Sequence, residues 1–128
     1  MARETIHSDA APAAIGPYSQ AVRVDAGKMI FCSGQVPLVA ETMEFNSADV
    51  VEQTEQVMKN LQAVLQAAGA TFENVVRTTI YLTNLGDFAR VNEVYGRYFP
   101  TNPPARATVQ VAALPKGAQV EIDCIAVI

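Results

Sequence analysis

An arginine and a glutamate lie inside two apolar stretches near the end of the chain. Arg106 lies in PPARATV (103–109), and Glu121 follows fifteen residues later, between Val120 and Ile122. A guanidinium beside an apolar core is costly unless an anion contacts it, and its planar fork matches a carboxylate. Arg106 therefore predicts a site for a small carboxylic acid. Glu121 adds a carboxyl group that could transfer protons there.

Strand alternation divides the side chains around Arg106 between two faces. Arg106, Thr108 and Gln110 fall on one face of the predicted strand, and Ala107 and Val109 fall on the other. This pattern also fits a polar sheet face on which Arg106 makes a structural ion pair. The residue pattern alone leaves both interpretations open.

Glu121 shares a predicted strand face with Asp123, which also fits a solvated sheet edge. If the stretches 106–112 and 119–125 formed a simple hairpin, Arg106 would lie about 13 Å along the strand from Glu121. That distance is long for one small substrate. Either the two strands are not neighbours, or the site takes groups from another chain. We favour a site shared at a subunit interface.

Two amphipathic helices are predicted from apolar residues at helical spacing. The first covers 49–68, with Asn46, Ser47 and Asp49 as cap candidates and a glycine directly after it. The second is capped by Asp87 and ends before a proline. Both helices have one apolar face, so each must lie against an apolar surface.

Strands are predicted from runs of β-branched and aromatic residues. They cover residues 5–7, 18–24, 29–33, 76–83, 106–112 and 119–128. The order of strands and helices favours an α+β fold in which two helices pack on one face of a mixed sheet. Apolar residues on both faces of the last strand predict that a second subunit covers the other face.

Composition limits the classes of function. The chain has 128 residues, 50% hydrophobic and 17% charged, and a net charge of −4, which predicts one domain over residues 1–128. The absence of a basic cluster argues against nucleic-acid binding. No secretory signal or membrane-length apolar run is visible. Cys32 and Cys124 suggest neither a disulfide framework nor a metal cluster, so we expect a cytoplasmic protein that holds no metal.

Several longer strings carry a resemblance to a known family. The strings are APAAIGPYSQA (11–21), FCSGQVP (31–37), VVRTTIYL (75–82), DFARVN (87–92), PAR (104–106) and VEI (120–122). Together they resemble the reactive intermediate deaminase family, also called the YjgF-type or RidA family. The match runs over nearly the whole chain, in order.

The resemblance implies a chorismate-mutase-like α+β fold and a homotrimer with clefts between subunits. It also implies hydrolysis of 2-enamine and 2-imine acids, such as 2-aminoacrylate, to 2-oxo acids and ammonia, with no cofactor or metal. Arg106 matches the family's carboxylate-binding arginine, and Glu121 matches its water-positioning glutamate. The matching cleft-lining positions are Tyr18, Ser33, Gly34 and Asn92.

Three positions depart from the family pattern. Thr108 stands where active members often have cysteine, so a thiol role is excluded, although the backbone of Thr108 could still contact substrate. Thr42-Met43 replaces a usual Thr-Gly turn, and Gln110 replaces a commonly acidic residue on the face of Arg106.

Simpler interpretations stay open for the cleft positions. Tyr18 could only pack, Asn92 could only join its helix to a loop, and Ser33-Gly34 could be a plain turn instead of exposed amides for a carboxylate. The alternative function is a non-catalytic sensor or regulator that binds a 2-oxo acid. Ribonuclease and chorismate mutase activities rank lower, because the chain is acidic and a single arginine suits a dicarboxylate poorly.

Overall fold

The computed structural model describes residues 3–128; residues 1 and 2, which the predicted domain includes, lie outside that range. The strands are β1 (Arg3–Ile6), β2 (Ala21–Val24), β3 (Met29–Gln35), β4 (Val75–Leu82), β5 (Ala105–Gln110) and β6 (Val120–Val127). The helices are α1 (Val50–Ala67) and α2 (Phe88–Arg97). These elements confirm the predicted α+β class. The strand predicted over 18–24 is shorter and begins at Ala21.

The main sheet has four strands in the order β3-β6-β4-β5. It is mixed, as predicted, because β4 and β5 are parallel while β6 is antiparallel to both β3 and β4. The first two strands do not join it. They form an antiparallel ribbon. An isolated bridge between Ser19 and Ala105 links the end of the loop that connects β1 and β2 to the start of β5.

The hairpin considered for the last two strands does not form. The strand β4 lies between β5 and β6 and pairs with both of them. The connection from β4 to β5 runs through α2, and such a helical crossover is what parallel neighbours require. The 106–112 stretch is therefore an edge strand instead of one arm of a hairpin.

Both helices pack on one face of the main sheet, as predicted. Asp49 caps α1 by accepting a hydrogen bond from the backbone N–H of Glu52, at 3.1 Å. The apolar face of α1 packs against the sheet. Its buried side chains include Val57, Met58, Leu61 and Leu65. Neither helix within residues 3–128 combines the length and the apolar character of a membrane span.

Asp87 does not cap α2 as predicted. It stands at the N-cap position, but its side chain makes no capping hydrogen bond and instead pairs with Arg90 in the first turn. The reason is its backbone, which is already helical at φ −83° and ψ −3°, whereas capping side chains usually extend from an extended residue.

Alternation along the strands gives the main sheet two distinct faces. Thr78 and Ile80 of β4 and Ile122 of β6 are buried beneath the helices, on what we call the helix face. Tyr81 and Glu121 point to the opposite side, the open face. Residues paired in register share a face, so these assignments extend to the neighbouring strands.

Cys32 and Cys124 are directly paired across β3 and β6 on the helix face. Both are free and buried, and they belong to the hydrophobic core. Burial raises the pKa of the Cys124 thiol, with a further contribution from neighbouring Cys32. The Cys124 thiol is accordingly a poor nucleophile at neutral pH.

Candidate active site

Arg106 lies in β5, in register with buried Thr78, so its side chain extends from the helix face. Its guanidinium carbon lies 5.2 Å from the ring centre of Tyr18, 5.3 Å from that of Phe88 and 5.0 Å from that of Tyr95. These distances fall within the range of cation–π attraction. Three aromatic rings therefore hold one guanidinium.

The helix α2 supplies most of this enclosure. Asn92 follows Phe88 by four residues and precedes Tyr95 by three, so all three lie on one face of the helix. Asn92 Oδ1 accepts a hydrogen bond from Arg106 Nη1 at 2.5 Å. The Tyr95 hydroxyl is hydrogen-bonded to the Thr78 hydroxyl at 2.7 Å, which ties the helix to β4. Burial raises the pKa of Tyr95 to about 12, so its hydroxyl stays neutral.

A loop before β2 brings Tyr18 to the same place. Ser19 donates two hydrogen bonds to the chain just ahead of β5, from its N–H to Pro104 O at 3.0 Å and from its hydroxyl to Pro103 O at 2.5 Å. Gly16 passes close to the site, because a Cβ there would lie 3.3 Å from Asn92 Nδ2 and 3.8 Å from an Arg106 nitrogen. A larger residue at position 16 would narrow the approach to the guanidinium.

The guanidinium of Arg106 is half-buried, and burial lowers its pKa. It nevertheless stays charged at neutral pH, as arginine does in proteins. Among residues 3–128, no carboxylate oxygen lies within 4 Å of it. Its hydrogen-bond partner Asn92 carries no charge, so the guanidinium is held in place without a counter-ion among the described residues.

Thr108 is the next residue along β5 on the helix face, in register with Ile80. Its hydroxyl oxygen is buried and has no hydrogen-bond partner within the described part of the chain. Gln110, further along that face, has a partner, because its Oε1 accepts from the N–H of Leu85 at 2.8 Å. The charge of Arg106 and the unused hydrogen-bonding capacity of Thr108 thus lie on one strand face.

Glu121 belongs to a second group of candidate residues, on the open face. Its carboxylate lies against Gly34, at the position where a side chain on that residue would begin. Ser33, one residue earlier, is exposed, and the register between β3 and β6 shifts between Cys32 and Gln35. Burial raises the pKa of Glu121, and the negative charge of Asp123 raises it further.

The structure therefore brings the predicted residues together as two groups. Arg106, Thr108, Asn92 and Tyr18 form one group, and Glu121 lies with Ser33 and Gly34 in the other. Arg106 is in register with Thr78 and Glu121 with Tyr81, so they lie about 10 Å apart along the strands and about 10 Å apart across them. They also extend from opposite faces. One small molecule bound to a single chain cannot contact both.

Comparison with known proteins gives the family. Residues 8–128 match the sequence model of the family described as Endoribonuclease L-PSP. The chain belongs to the YjgF/RidA family.

Relatives within the YjgF/RidA family carry more than one kind of name. The chain is 71% identical to Protein DfrA of Myxococcus xanthus over 99% of its own length and 97% of that protein. It is 52% identical to the mouse 2-iminobutanoate/2-iminopropanoate deaminase over 98% of its length and 91% of that enzyme. Among solved structures, RidA from an Antarctic Psychrobacter is 47% identical with a TM-score of 0.77, covering 98% of this chain and 99% of that one. These matches confirm the resemblance found in the sequence motifs.

Three residues beside the candidate site of this YjgF/RidA chain were not predicted as site residues. Helical spacing places Phe88 and Tyr95 on the apolar face of the second predicted helix, and Gly16 precedes a proline, a pair typical of a turn. A signal was present in the spacing, because Phe88 and Tyr95 flank Asn92 on one helix face. Their proximity to Arg106 depends on the crossover from β4 to β5, which residue spacing does not reveal.

Proposed function

We propose that the protein is a hydrolytic deaminase that converts 2-imino and 2-enamino acids to 2-oxo acids and ammonia. The observation that carries the proposal is the guanidinium of Arg106, which is half-buried, oriented by Asn92 and without a carboxylate partner among residues 3–128. The deaminase names of relatives at about half identity support the choice of reaction. The side chain of the preferred imine is not part of the proposal.

Arg106 would bind the substrate carboxylate. A charge-assisted contact of this kind contributes about 1.5–3 kcal/mol, which is short of the roughly 4 kcal/mol that millimolar affinity requires. Further contacts are therefore needed. Thr108 supplies a hydroxyl without a partner in the described chain, and Tyr18 supplies a ring beside the guanidinium. We assign both to substrate binding.

Glu121 would act in a site shared between two copies of the chain. Since Arg106 and Glu121 lie on opposite faces of one sheet, we propose that Arg106 of one copy meets Glu121, Ser33 and Gly34 of the next. The open face supports such an assembly. Phe31 is 69% exposed and Met29 58% exposed on that face, as expected for a surface that another subunit covers. We propose the homotrimer that the family resemblance implies.

Hydrolysis of an imine requires few catalytic groups from the protein. A 2-enamino acid first becomes the 2-imino acid, when its terminal carbon gains a proton and its nitrogen loses one. Water then adds its oxygen to the imine carbon, the carbon–nitrogen bond breaks, and nitrogen leaves as ammonia with the protons of that water. Glu121 accepts a proton from the attacking water, delivers one to the departing nitrogen and is left unchanged. A single acid–base group of this kind contributes about 10²–10⁴ in rate. The proposal requires no metal or cofactor.

We do not propose the ribonuclease activity in the family's description. The chain carries a net charge of −4, and RNA binding depends on neutralising phosphates with basic side chains. The guanidinium of Arg106 is also enclosed by three rings and not part of a basic surface.

The proposal is tested by generating 2-imino acids with an amino acid oxidase and trapping the survivors with semicarbazide. The assay is run without protein, with the protein, with Arg106→Ala and with Arg23→Ala as a matched control, whose arginine is exposed and pairs with Glu4. A deaminase lowers trapping, Arg106→Ala loses that effect and Arg23→Ala keeps it. If trapping never falls but pyruvate binds in an Arg106-dependent way, the protein is a sensor instead. If neither occurs, the carboxylate site is wrong.

A further inference from the structure

Tyr81 lies directly opposite Glu121 in the pairing of β4 with β6. The next pair on the open face joins Thr79 to Asp123, and fully buried Ile80 and Ile122 lie between the two pairs on the other face. Opposite residues in such a ladder have their Cβ atoms about 4.5–5.5 Å apart. The Tyr81 side chain therefore starts beside Glu121.

The Tyr81 hydroxyl does not bond to Glu121. It donates instead to Asp123 Oδ2, at 3.1 Å, reaching diagonally across the sheet to the carboxylate two residues further along β6. A tyrosine is long enough for this diagonal, which spans about 7–8 Å between backbones. The bond fixes the Asp123 carboxylate on the open face, on the same side of β6 as Glu121.

Gly34, in the neighbouring strand β3, limits where the Glu121 carboxylate can lie. An ideal Cβ on Gly34 would lie 2.1 Å from Glu121 Oε2 and 2.8 Å from its carboxyl carbon. Because β6 lies between β3 and β4, the carboxylate has Gly34 on one side and Tyr81 on the other. Its position is thus defined by contacts on both neighbouring strands.

Asp123 is the principal charge that acts on Glu121 within the described chain. In β3, Met29–Gln35 contains no Asp, Glu, Lys or Arg, and its cysteine faces the helices. In β4, Arg77 is exposed and lies four residues from Tyr81, about 13 Å along the strand. In β5, Arg106 of the same chain extends from the other face. The shared site proposed above would bring Arg106 of the next copy to Glu121, where its positive charge would act against that of Asp123. Burial raises the pKa of Glu121 most, and Asp123 adds to it. Burial and the bond to Asp123 both raise the pKa of Tyr81.

We propose that Tyr81 and Asp123 are positioning residues for Glu121, with the Tyr81 hydroxyl holding the Asp123 charge beside the Glu121 carboxylate. The inference rests on the proposed function, in which Glu121 transfers protons. A fixed negative neighbour favours the protonated form of Glu121. The ionised Glu121 is then a stronger acceptor for the proton of the attacking water, which it afterwards delivers to the departing nitrogen.

The direct test is a carbon-13 NMR titration of the side-chain carboxyl carbons in the whole, assembled protein. The Glu121 signal is assigned by its loss in Glu121→Gln. We expect the pKa of Glu121 to fall in Asp123→Asn, which keeps an acceptor for Tyr81 but removes the charge. Tyr81→Phe should lower the pKa of Glu121 by a smaller amount, because the Asp123 carboxylate, once it loses its hydrogen bond to Tyr81, can turn toward water. Asp9→Asn, whose carboxylate is fully exposed, is the control and should leave it unchanged.

A Glu121 titration that coincides in wild type, Asp123→Asn and Tyr81→Phe would overturn the inference. A second readout is the pH dependence of kcat/KM in the imine assay. The limb that disappears in Glu121→Gln should move to lower pH in Asp123→Asn. The two proposals fail separately: an active enzyme with an unchanged titration refutes the role of Tyr81 and Asp123, whereas a changed titration without turnover refutes the deaminase.

Discussion

The carboxylate of Glu121 occupies the space in which a side chain on Gly34 would begin. A Cβ at position 34 would lie 2.1 Å from Glu121 Oε2, which is closer than non-bonded atoms approach. The glycine in β3 and the glutamate in β6 are therefore a matched pair, and any side chain at position 34 displaces the carboxylate.

Gly34→Ala should reduce kcat for imine hydrolysis by about 10- to 100-fold, because a displaced Glu121 loses much of a contribution of about 10²–10⁴. The matched control is Gly69→Ala. Gly69 has a φ of +79° and would meet no atom within 4 Å, so alanine there carries a backbone penalty without a clash. Steady-state kinetics of both variants make the comparison. Equal activity in Gly34→Ala and wild type would contradict a role for Glu121 at this position.

Thr108→Val should weaken binding of a 2-oxo acid without destabilising the free protein. Its hydroxyl has no partner among residues 3–128, so removing it leaves no described group unsatisfied. Thr78→Val is the control, because it removes a buried hydroxyl bonded to Tyr95 and should cost about 1 kcal/mol or more. Thermal unfolding and pyruvate titration distinguish the two. Unchanged pyruvate affinity in Thr108→Val would remove the hydroxyl from the binding site.

Asn92→Asp should compete with the substrate at Arg106. The new carboxylate would replace the amide oxygen that accepts from Arg106 Nη1 and would neutralise the guanidinium. We expect the dissociation constant for pyruvate to rise about 10-fold or more, a loss of about 1.4 kcal/mol. In the control, Asn84→Asp, the new carboxylate can still accept the cap bond from Gly86 N–H, and binding should not change. Calorimetric titration with pyruvate measures the dissociation constant of both variants. An unaltered dissociation constant in Asn92→Asp would place the carboxylate site elsewhere.

Glu121→Gln should increase stability in a pH-dependent way. The pKa of Glu121 is raised in the folded protein, so between the unfolded and folded values the native state binds more protons and stability falls as pH rises. Glutamine resembles the protonated acid. The gain in Tm over wild type should thus be absent well below pH 4.5 and fully present once pH exceeds the folded pKa. Thermal scans at pH 3.5 and 8, at one protein concentration, measure the difference in Tm between Glu121→Gln and wild type. A difference that is larger at pH 3.5 would contradict a raised pKa of Glu121.

The fold class could be predicted from the sequence, because apolar periodicity and local motifs encode it; the same motifs supply the candidate site residues, whose roles stay predictions. Asp49 caps its helix as its position indicates. Asp87 does not cap, because its backbone angles depend on the preceding turn. Likewise, residue spacing could not reveal that β4 separates Arg106 from Glu121, since strand order is set by long-range pairing. The division of the site between two faces follows from that order.

The most direct test of a shared site is to mix two inactive variants. Arg106→Ala and Glu121→Gln are purified separately, combined in equal amounts and allowed to exchange subunits, which mass spectrometry verifies. In a cyclic assembly each site takes one residue from each of two neighbouring chains, so about one quarter of wild-type activity should return. If exchange is complete and no activity returns, Arg106 and Glu121 do not act together across a subunit interface, and the proposed site is wrong.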